Sequence, residues 1–399
     1  MLLTLTQWYP SKDNPVAGVF VRVHVNALRQ EARDHGYDRV VVVHLDREAP
    51  WGLVEKSGDD VRIGTRVQRL LLRRTLKVLI VPLPILIAAK VCGVVGERPK
   101  AVVSVAHPAE IVGWLVARRY RRPFAAHIEH STSFTRADSS FPQSKLQRSI
   151  RGWWLRTPKR AIAVSKGLAS SLSEEFGVSG VAVVANGVDD AFFSEGIHPR
   201  DSKNAIRILS VGLLTPGKRV DHVIHAAALI KDRLPAMTLT VEIVGDGVCR
   251  VELEALARTL GIDELCRFHG IMTPRAIAQI AANSSVFVTA SAFETFCVAA
   301  AEAFACGVPI VSTRSGGPES FIDPEFATFI DVTVAGMNPG ADLSDAILRE
   351  IERDSLARRH RARDSAAAIV GCATVGRQLW RTIDPQLQEP QIAAGALLL

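Results

Sequence analysis

The chain has 399 residues, of which 48% are hydrophobic, and it has a net charge of +7. The chain is longer than a domain with a single hydrophobic core usually is, and it has enough apolar residues for more than one core, so we expect two domains. Its six cysteines show no C-x-x-C spacing, which argues against a zinc site and a disulfide scaffold and is typical of reduced thiols. The mild basic excess suits a phosphate-bearing ligand, an anionic membrane surface or nucleic acid, and charge alone does not choose among them.

The first half of the sequence alternates short β-branched runs with helical patterns. The N-terminus, MLLTLTQWYP, has no basic region and its apolar run breaks at Gln7, which predicts a first strand, no signal peptide and a cytoplasmic protein. Further strands are predicted at Arg39–Leu45, Ala101–His107, Arg160–Ser165 and Val181–Gly187. Strands that alternate with helices indicate parallel βαβ units.

Two stretches of the first half raise the question of membrane contact. Val78–Val95 is the most apolar, but two prolines and a lysine interrupt it, and a span needs about 20 apolar residues. We therefore expect a buried or interfacial segment. Ser144–Arg160 interleaves basic residues with Trp153 and Trp154. We favour a solvated basic face with both tryptophans in the core, and peripheral contact with the inner face of the membrane is the alternative.

The alternation restarts after a polar stretch, 196–204, which we interpret as a linker. Strands are then predicted at Ile206–Gly212, Leu239–Gly247, Ser285–Ser291 and Val308–Arg314. We therefore predict two doubly wound parallel-sheet α/β domains, 1–195 and 205–365, followed by a helix at 366–385 and a tail at 386–399. Since such sheets bind ligands at the carboxyl ends of their strands, the cleft between the domains is the expected ligand site.

The segment FETFCVAAAEAFACGVPIVSTRSGGPES, residues 293–320, carries two glutamates eight positions apart. Because a strand is predicted just before it, Glu294 falls in the following loop and Glu302 in the second turn of a helix that starts near Phe296. That helix start would present free N–H groups and a positive dipole end between the carboxylates. The layout suits a nucleoside diphosphate sugar. If this segment is considered alone, the more frequent explanation of the two glutamates is that they are surface residues of a solvated helix and its N-terminus and bind no ligand.

The same segment resembles the E-x7-E signature of retaining glycosyltransferases of family 4. Other stretches resemble that family in the same order, from about Leu3 to Ile322, namely WYPSKDNPVAGVFVRVHVNAL, AAHIEHSTSF, AIAVSKGLASSLSEEFGV, VAVVANGVDDAFF, LSVGLLTPGKRVDHVIHAA, VEIVGDG and RFHGIM. The resemblance implies the GT-B architecture, in which two Rossmann-like domains face a cleft and a C-terminal helix packs back on the first domain. It implies transfer of a sugar from a nucleotide diphosphate sugar to an acceptor hydroxyl in polysaccharide, glycolipid or glycoconjugate biosynthesis.

The resemblance also implies roles for individual residues. Glu302 would bind the ribose hydroxyls of the donor, and Glu294 would bind the hydroxyls of the donor sugar. Lys218 matches the lysine that binds the diphosphate, and His130 matches the histidine near the transferred sugar. Gly18 would let the backbone approach the donor or the acceptor closely, although a glycine that only forms a turn is almost as frequent.

Two positions depart from the family pattern. Leu213 stands where arginine is usual, and Cys297 stands where glycine is usual in E-x-F-G. The departing diphosphate would be stabilised by Lys218, by the helix N-terminus near Phe296 and by Arg219, which stands where glycine is frequent and would replace the charge missing at Leu213. The family implies no enzymic nucleophile, no cofactor and no metal ion.

Four other functions are alternatives. A non-catalytic nucleotide-sugar-binding partner of an active transferase would explain both departures, whereas the retained glutamates, lysine and histidine favour activity. A sugar-nucleotide 2-epimerase fits the N-terminal segments poorly, a dinucleotide oxidoreductase would need G-x-G-x-x-G after a strand, and nucleic-acid binding is supported by net charge alone. The donor base, the donor sugar and the acceptor have no readable motif, and acceptor contacts are expected in loops near 16–22 and 131–144.

Overall fold

A computed structural model describes residues 1–10, 18–66, 82–106, 109–130, 145–197, 204–331 and 339–384. The first half of the chain contributes the strands β1 (Leu2–Thr6), β2 (Val40–Pro50), β3 (Val54–Ser57), β4 (Asp60–Arg66), β5 (Ala101–Val105), β6 (Phe124–Glu129), β7 (Arg160–Ala163) and β8 (Ala182–Val183). They form one sheet in the order β3-β4-β2-β1-β5-β6-β7-β8. Its pairings are parallel except that β3 is antiparallel to β4.

The second half forms a separate parallel sheet. Its strands are β9 (Ala205–Val211), β10 (Thr238–Val244), β11 (Cys266–Gly270), β12 (Val286–Thr289), β13 (Ile310–Thr313) and β14 (Ala327–Ile330). Their order is β11-β10-β9-β12-β13-β14, and the named pairings are all parallel. The architecture is therefore two parallel-sheet α/β domains, as predicted.

Helices connect the strands and cover the sheets. In chain order they are α1 (Val19–Glu31), α2 (Pro82–Val95), α3 (Ala109–Tyr120), α4 (Lys145–Leu155), α5 (Lys166–Phe176), α6 (Ala191–Ser194), α7 (Val220–Arg233), α8 (Arg250–Thr259), α9 (Pro274–Ala282), α10 (Val298–Ala305), α11 (Pro339–Glu352), α12 (Leu356–Val370) and α13 (Cys372–Ile383). Both faces of the central strands are thereby covered, and β1, β5 and β12 are buried along their whole length. This burial explains why these strands read as near-continuous apolar runs.

Three strands that the sequence did not predict, β3, β4 and β14, lie at or next to an edge of a sheet. Every residue of β3 is exposed, and β4 alternates only partly between buried and half-buried residues. A strand at an edge, with one side in solvent, lacks the apolar pattern that identifies a central strand. The same holds for β14, where three of the four residues are half-buried.

The C-terminal segment returns to the first domain. Residues 366–384 contain the end of α12 and all of α13, and Gly371 between them has an extended conformation that separates the two helices. The indole N–H of Trp380 donates a hydrogen bond to the Leu28 carbonyl of α1 at 3.1 Å. A side chain at Gly376 would place its Cβ 2.8 Å from the Ala27 oxygen, so glycine allows α13 to approach α1 closely. The exact domain boundaries, including the linker at 196–204, stay a prediction.

Helix α4 corrects the interpretation of Ser144–Arg160. Arg151, expected on a solvated face, is buried against the first sheet, whereas Trp153, expected in the core, is 50% exposed. Trp154 is half-buried and packs against Trp153 and Trp114, with ring centroids 4.5 and 5.6 Å apart. The helix thus turns one arginine inward because a buried carboxylate pairs with it.

No helix in the described parts of the chain is long and apolar enough to cross a membrane. The apolar stretch Val78–Val95 contains α2, and its residues before Pro82 lie outside the described residues. Within α2, Ile87 and Val91 are buried, whereas Ile85 and Leu86 are about half exposed. This segment is therefore partly core and partly surface.

Trp380→Ala should test the docking of α13 on α1. The wild-type side chain is completely buried, stacks on His35 with ring centroids 4.7 Å apart and makes the hydrogen bond to Leu28. We expect its removal to lower the free energy of unfolding by about 3–5 kcal/mol, measured by urea denaturation. Arg377→Ala, on the exposed face of the same helix, should change it by less than about 0.5 kcal/mol. Equal small effects of both variants would contradict this packing.

Candidate functional site

The candidate site lies at the switch point of the second sheet. In the order β10-β9-β12-β13, the chain leaves β9 toward one edge and β12 toward the other, so the loops after β9 and β12 diverge and leave a crevice. Ligands of doubly wound sheets bind in this crevice. Lys218 belongs to the loop after β9, and Glu294 belongs to the loop after β12. The same logic places Gly18, which follows β1, at the switch point of the first sheet.

Lys218 and Glu294 form an ion pair across this crevice. The Lys218 ammonium donates to Oε1 of Glu294, and the same oxygen accepts a hydrogen bond from the Ser291 hydroxyl at 2.7 Å. The backbone keeps the two loops together, because the Ala292 N–H donates to the Gly217 carbonyl at 2.9 Å. The Glu294 side chain is only 10% exposed, and that of Lys218 is 31% exposed. The crevice thus holds one cation and one carboxylate side by side at the mouth of the sheet.

The second glutamate occupies the position that the sequence predicts. Helix α10 begins at Val298, two residues after the expected start at Phe296, and Glu302 lies in its second turn. Burial, and to a smaller extent the nearby charge of Asp189, raises the pKa of Glu302 to about 8. Glu302 therefore carries a proton at neutral pH and can donate as well as accept a hydrogen bond. Its electrostatic neighbour is Asp189 rather than the Lys218–Glu294 pair.

The two residues before α10 are constrained in different ways, Phe296 by the packing of its ring and Cys297 by its backbone conformation. Phe296 is buried and stacks on Phe321 at 4.4 Å between ring centroids, so its side chain belongs to the core. Cys297 caps α10 with φ 70° and ψ 76°, a left-handed conformation that favours glycine. Burial, with a contribution from Glu294, raises the pKa of the Cys297 thiol, so that it stays protonated.

Arg219 likewise adopts a glycine conformation, with φ 49°, at the start of α7. Burial lowers the pKa of His222 in the first turn of α7, while the charge of Asp221 opposes this shift and that of Arg219 adds to it. Leu213, where the family pattern has arginine, is 65% exposed. The loop after β9 therefore offers two cations, Lys218 and Arg219, and one exposed apolar side chain.

The local backbone structure requires glycine at position 18. It caps α1 with φ 65°, and a Cβ at this position would lie 2.5 Å from the Trp8 carbonyl carbon. Glycine is therefore needed for the turn from β1 into α1, whether or not a ligand approaches. Its predicted contact with the donor or acceptor stays a prediction.

His130 lies just after β6, opposite the loop after β12. Its ring is buried, packs on Phe20 at 4.5 Å and lies 5.3 Å from the ring of His24. Burial, with a smaller contribution from His24, holds the pKa of His130 well below its usual value, so the imidazole is neutral at pH 7. The His130 carbonyl accepts a hydrogen bond from the Thr295 hydroxyl at 2.8 Å. Thr295 therefore connects the second domain to His130 in the first.

The structure brings together Lys218, Glu294, Cys297 and, through Thr295, His130. Ser291 and Thr295 were not among the predicted site residues, and their only signal in the sequence is that they flank Glu294. Glu302 and Arg219 lie on the adjoining helices α10 and α7. In the described part of the chain, no group of three His, Cys, Asp or Glu side chains is placed to hold a metal ion. The predicted acceptor loop 131–144 lies outside the described residues.

Two family models match the chain. Residues 21–192 match the glycosyltransferase family 4 model, and residues 196–366 match the model for glycosyl transferases group 1. A GDP-mannose-dependent alpha-mannosyltransferase of Mycobacterium tuberculosis is 30% identical over 303 residues, which cover 71% of this chain and 76% of that protein. A D-inositol 3-phosphate glycosyltransferase of Rhodococcus erythropolis is 29% identical over 52% of this chain, and the chain spans 50% of its length.

A solved structure shares the fold across almost the whole chain. Anabaena HepE in complex with UDP-glucose superposes with a TM-score of 0.67 and 17% sequence identity, covering 96% of this chain and 99% of that one. At this identity the likeness concerns the fold.

Cys297→Gly and Cys297→Ala should separate the two properties of this residue. Both lack the thiol, but only glycine relieves the left-handed strain, which costs other residues about 1–2 kcal/mol. The extra freedom of glycine in the unfolded chain offsets about 0.5–1 kcal/mol of this gain. We therefore expect Cys297→Gly to be more stable than Cys297→Ala by up to about 1 kcal/mol in urea denaturation. A more stable alanine variant would contradict the assigned backbone conformation.

Proposed function

The chain belongs to glycosyltransferase family 4, and from this we propose that it transfers a sugar from a nucleoside diphosphate sugar to an acceptor hydroxyl with retention of configuration. The observation that carries the proposal is the Lys218–Glu294 pair at the switch point of the second sheet. We place the reaction in polysaccharide, glycolipid or glycoconjugate biosynthesis.

The ion pair suits the two ends of such a donor. The diphosphate offers Lys218 a stronger anionic partner than one carboxylate, and the sugar hydroxyls offer Glu294 several hydrogen-bond donors. Donor binding would therefore exchange the internal pair for two pairs with the ligand. Glu302, protonated and beside the start of α10, would exchange hydrogen bonds with the ribose hydroxyls.

The chemical step needs charge stabilisation on the leaving group. The bond from the anomeric carbon to the phosphate oxygen breaks, the acceptor oxygen bonds to the same face of that carbon, and the acceptor proton passes to the departing phosphate. Lys218, Arg219 and the N–H groups at the start of α10 would stabilise the diphosphate. Because these groups supply positive charge, we propose that the reaction uses no metal ion and no cofactor. Neutral His130 would hydrogen-bond the transferred sugar.

We further propose peripheral contact with an anionic membrane surface, at the inner face of the cytoplasmic membrane. Ile150 and Trp153 are one turn apart on α4, and both are about half exposed. Trp153 contacts Trp114, and the Arg118 guanidinium lies 5.3 Å from the Trp114 ring. Aromatic and aliphatic side chains beside arginine are typical of segments that lie in a membrane interface. A lipid-linked acceptor would be reached from such a position.

A thermal-shift panel of UDP, GDP, ADP and their common sugar conjugates tests the donor site. Saturation at 100 times Kd should add about 2.7 kcal/mol to the stability of the wild type. Glu302→Ala should abolish the shift, and Glu252→Ala, an exposed glutamate on α8, should preserve it. If no nucleotide shifts the wild type at millimolar concentration, the donor site does not bind and the transferase proposal fails.

Vesicle sedimentation tests the membrane contact. The wild type should bind vesicles that contain phosphatidylglycerol more strongly than vesicles of pure phosphatidylcholine. Replacing Ile150 and Trp153 together by serine should weaken this binding about tenfold or more, because each side chain contributes on the order of 1.5 kcal/mol when buried. Val248→Ser, an exposed apolar position in the second domain, is the control and should leave it unchanged. Equal binding of the three proteins would contradict the proposal.

A further inference from the structure

We propose that the buried Arg151–Glu129 ion pair positions His130 for the transfer reaction. Both residues act through the main chain of His130 and are positioning residues. The inference rests on the proposed transferase function, and it gives a role to Arg151, which the sequence predicts on a solvated basic face. It is carried by a series of contacts that starts in α4, passes along the end of β6 and reaches the loop after β12.

The ion pair is almost wholly removed from water. Nη2 of Arg151 lies 2.6 Å from Oε2 of Glu129, and the two side chains are 3% and 1% exposed. Glu129 is the last residue of β6, and Arg151 comes from the middle of α4. The guanidinium thus holds the carboxylate at the carboxyl end of the strand, where the site begins.

The Glu129 carboxylate also interacts with His130 and His127. Its Oε1 accepts a hydrogen bond from the His130 backbone N–H at 3.2 Å. Its Oε2 lies 3.4 Å from Nε2 of His127, whose Nδ1 lies 2.8 Å from the Ser104 hydroxyl of β5. The carboxylate is therefore held from α4 and β5 at once, and it holds the peptide of His130.

The opposite side of the same residue faces the second domain. The His130 carbonyl accepts a hydrogen bond from Thr295, and the adjacent Glu294 pairs with Lys218. The His130 N–H is therefore held by Glu129 of the first domain, and its carbonyl is held by Thr295 in the loop after β12. A displacement at Glu129 would reach the proposed sugar-binding groups directly.

Stability alone explains this pair poorly. Replacing both members of a buried ion pair with apolar or neutral groups of similar size is often neutral or stabilising, whereas removing one member is strongly destabilising. A charged pair at the end of β6, next to His130, is therefore explained better by the geometry that it imposes. A misplacement of about 1 Å near the reacting atoms can lower a rate about 100-fold.

The test uses the double variant Glu129→Gln/Arg151→Met, which removes both charges at nearly constant volume. Its matched control is Glu350→Gln/Arg358→Met, which removes another buried pair, 2.7 Å long, in the second domain. For each protein we would measure the melting temperature, hydrogen–deuterium exchange of the segments around 130 and 295, and turnover with UDP-glucose and GDP-mannose. The single variants show what one unpaired buried charge does to folding.

We expect the double variant to melt within about 3 °C of the wild type, in accord with neutral replacement of a buried pair. Exchange should rise in both segments, and kcat should fall at least about 30-fold with KM for the donor changed less than about threefold. The control should match the wild type in exchange and kcat. Unchanged exchange at 130 and 295, or unchanged kcat, overturns the positioning role. If the wild type itself transfers no sugar, the proposed function fails, and exchange alone then decides whether the pair orders both segments.

Discussion

The hydrogen bond from Thr295 to the His130 carbonyl sets the geometry of the site, because it joins the loop after β12 to the residue after β6. Each of these loops follows a buried parallel strand, and the sheet therefore fixes the position at which the loop begins. The hydrogen bond then fixes the distance between the two loops. Glu294, next to Thr295, and His130 consequently lie on opposite sides of the cleft of a GT-B fold and are joined by this hydrogen bond.

The glycine-like conformations of Arg219 and Cys297 follow from the same arrangement. Each stands at the start of a helix that follows a strand at the switch point, where the chain must reverse direction in few residues. A left-handed backbone conformation makes this reversal possible, but it is strained for any residue except glycine. At Arg219 the strained position carries a second basic residue, directly after Lys218 in the sequence.

Much of the fold could be predicted from the sequence, because central parallel strands are apolar on both faces and the intervening helices are not. The edge strands β3 and β14 were missed since one side of each is in solvent. The loop position of Glu294 and the helical position of Glu302 followed from the strand before them. His130 was identified only by resemblance. Thr295 and Arg151 could not be found, because their contacts join residues 165 and 22 positions apart in the chain.

The proposed donor site can be tested by a crystal structure with an intact, non-transferable nucleoside diphosphate sugar. We expect that the Lys218 ammonium leaves Glu294 for the diphosphate, that Glu294 contacts the sugar hydroxyls, and that Glu302 contacts the ribose. The hydrogen bond from Thr295 to His130 should persist. A donor bound elsewhere, such as the cavity of about 570 Å³ lined by Lys166, Glu319 and Phe321, with the Lys218–Glu294 pair intact, would contradict it.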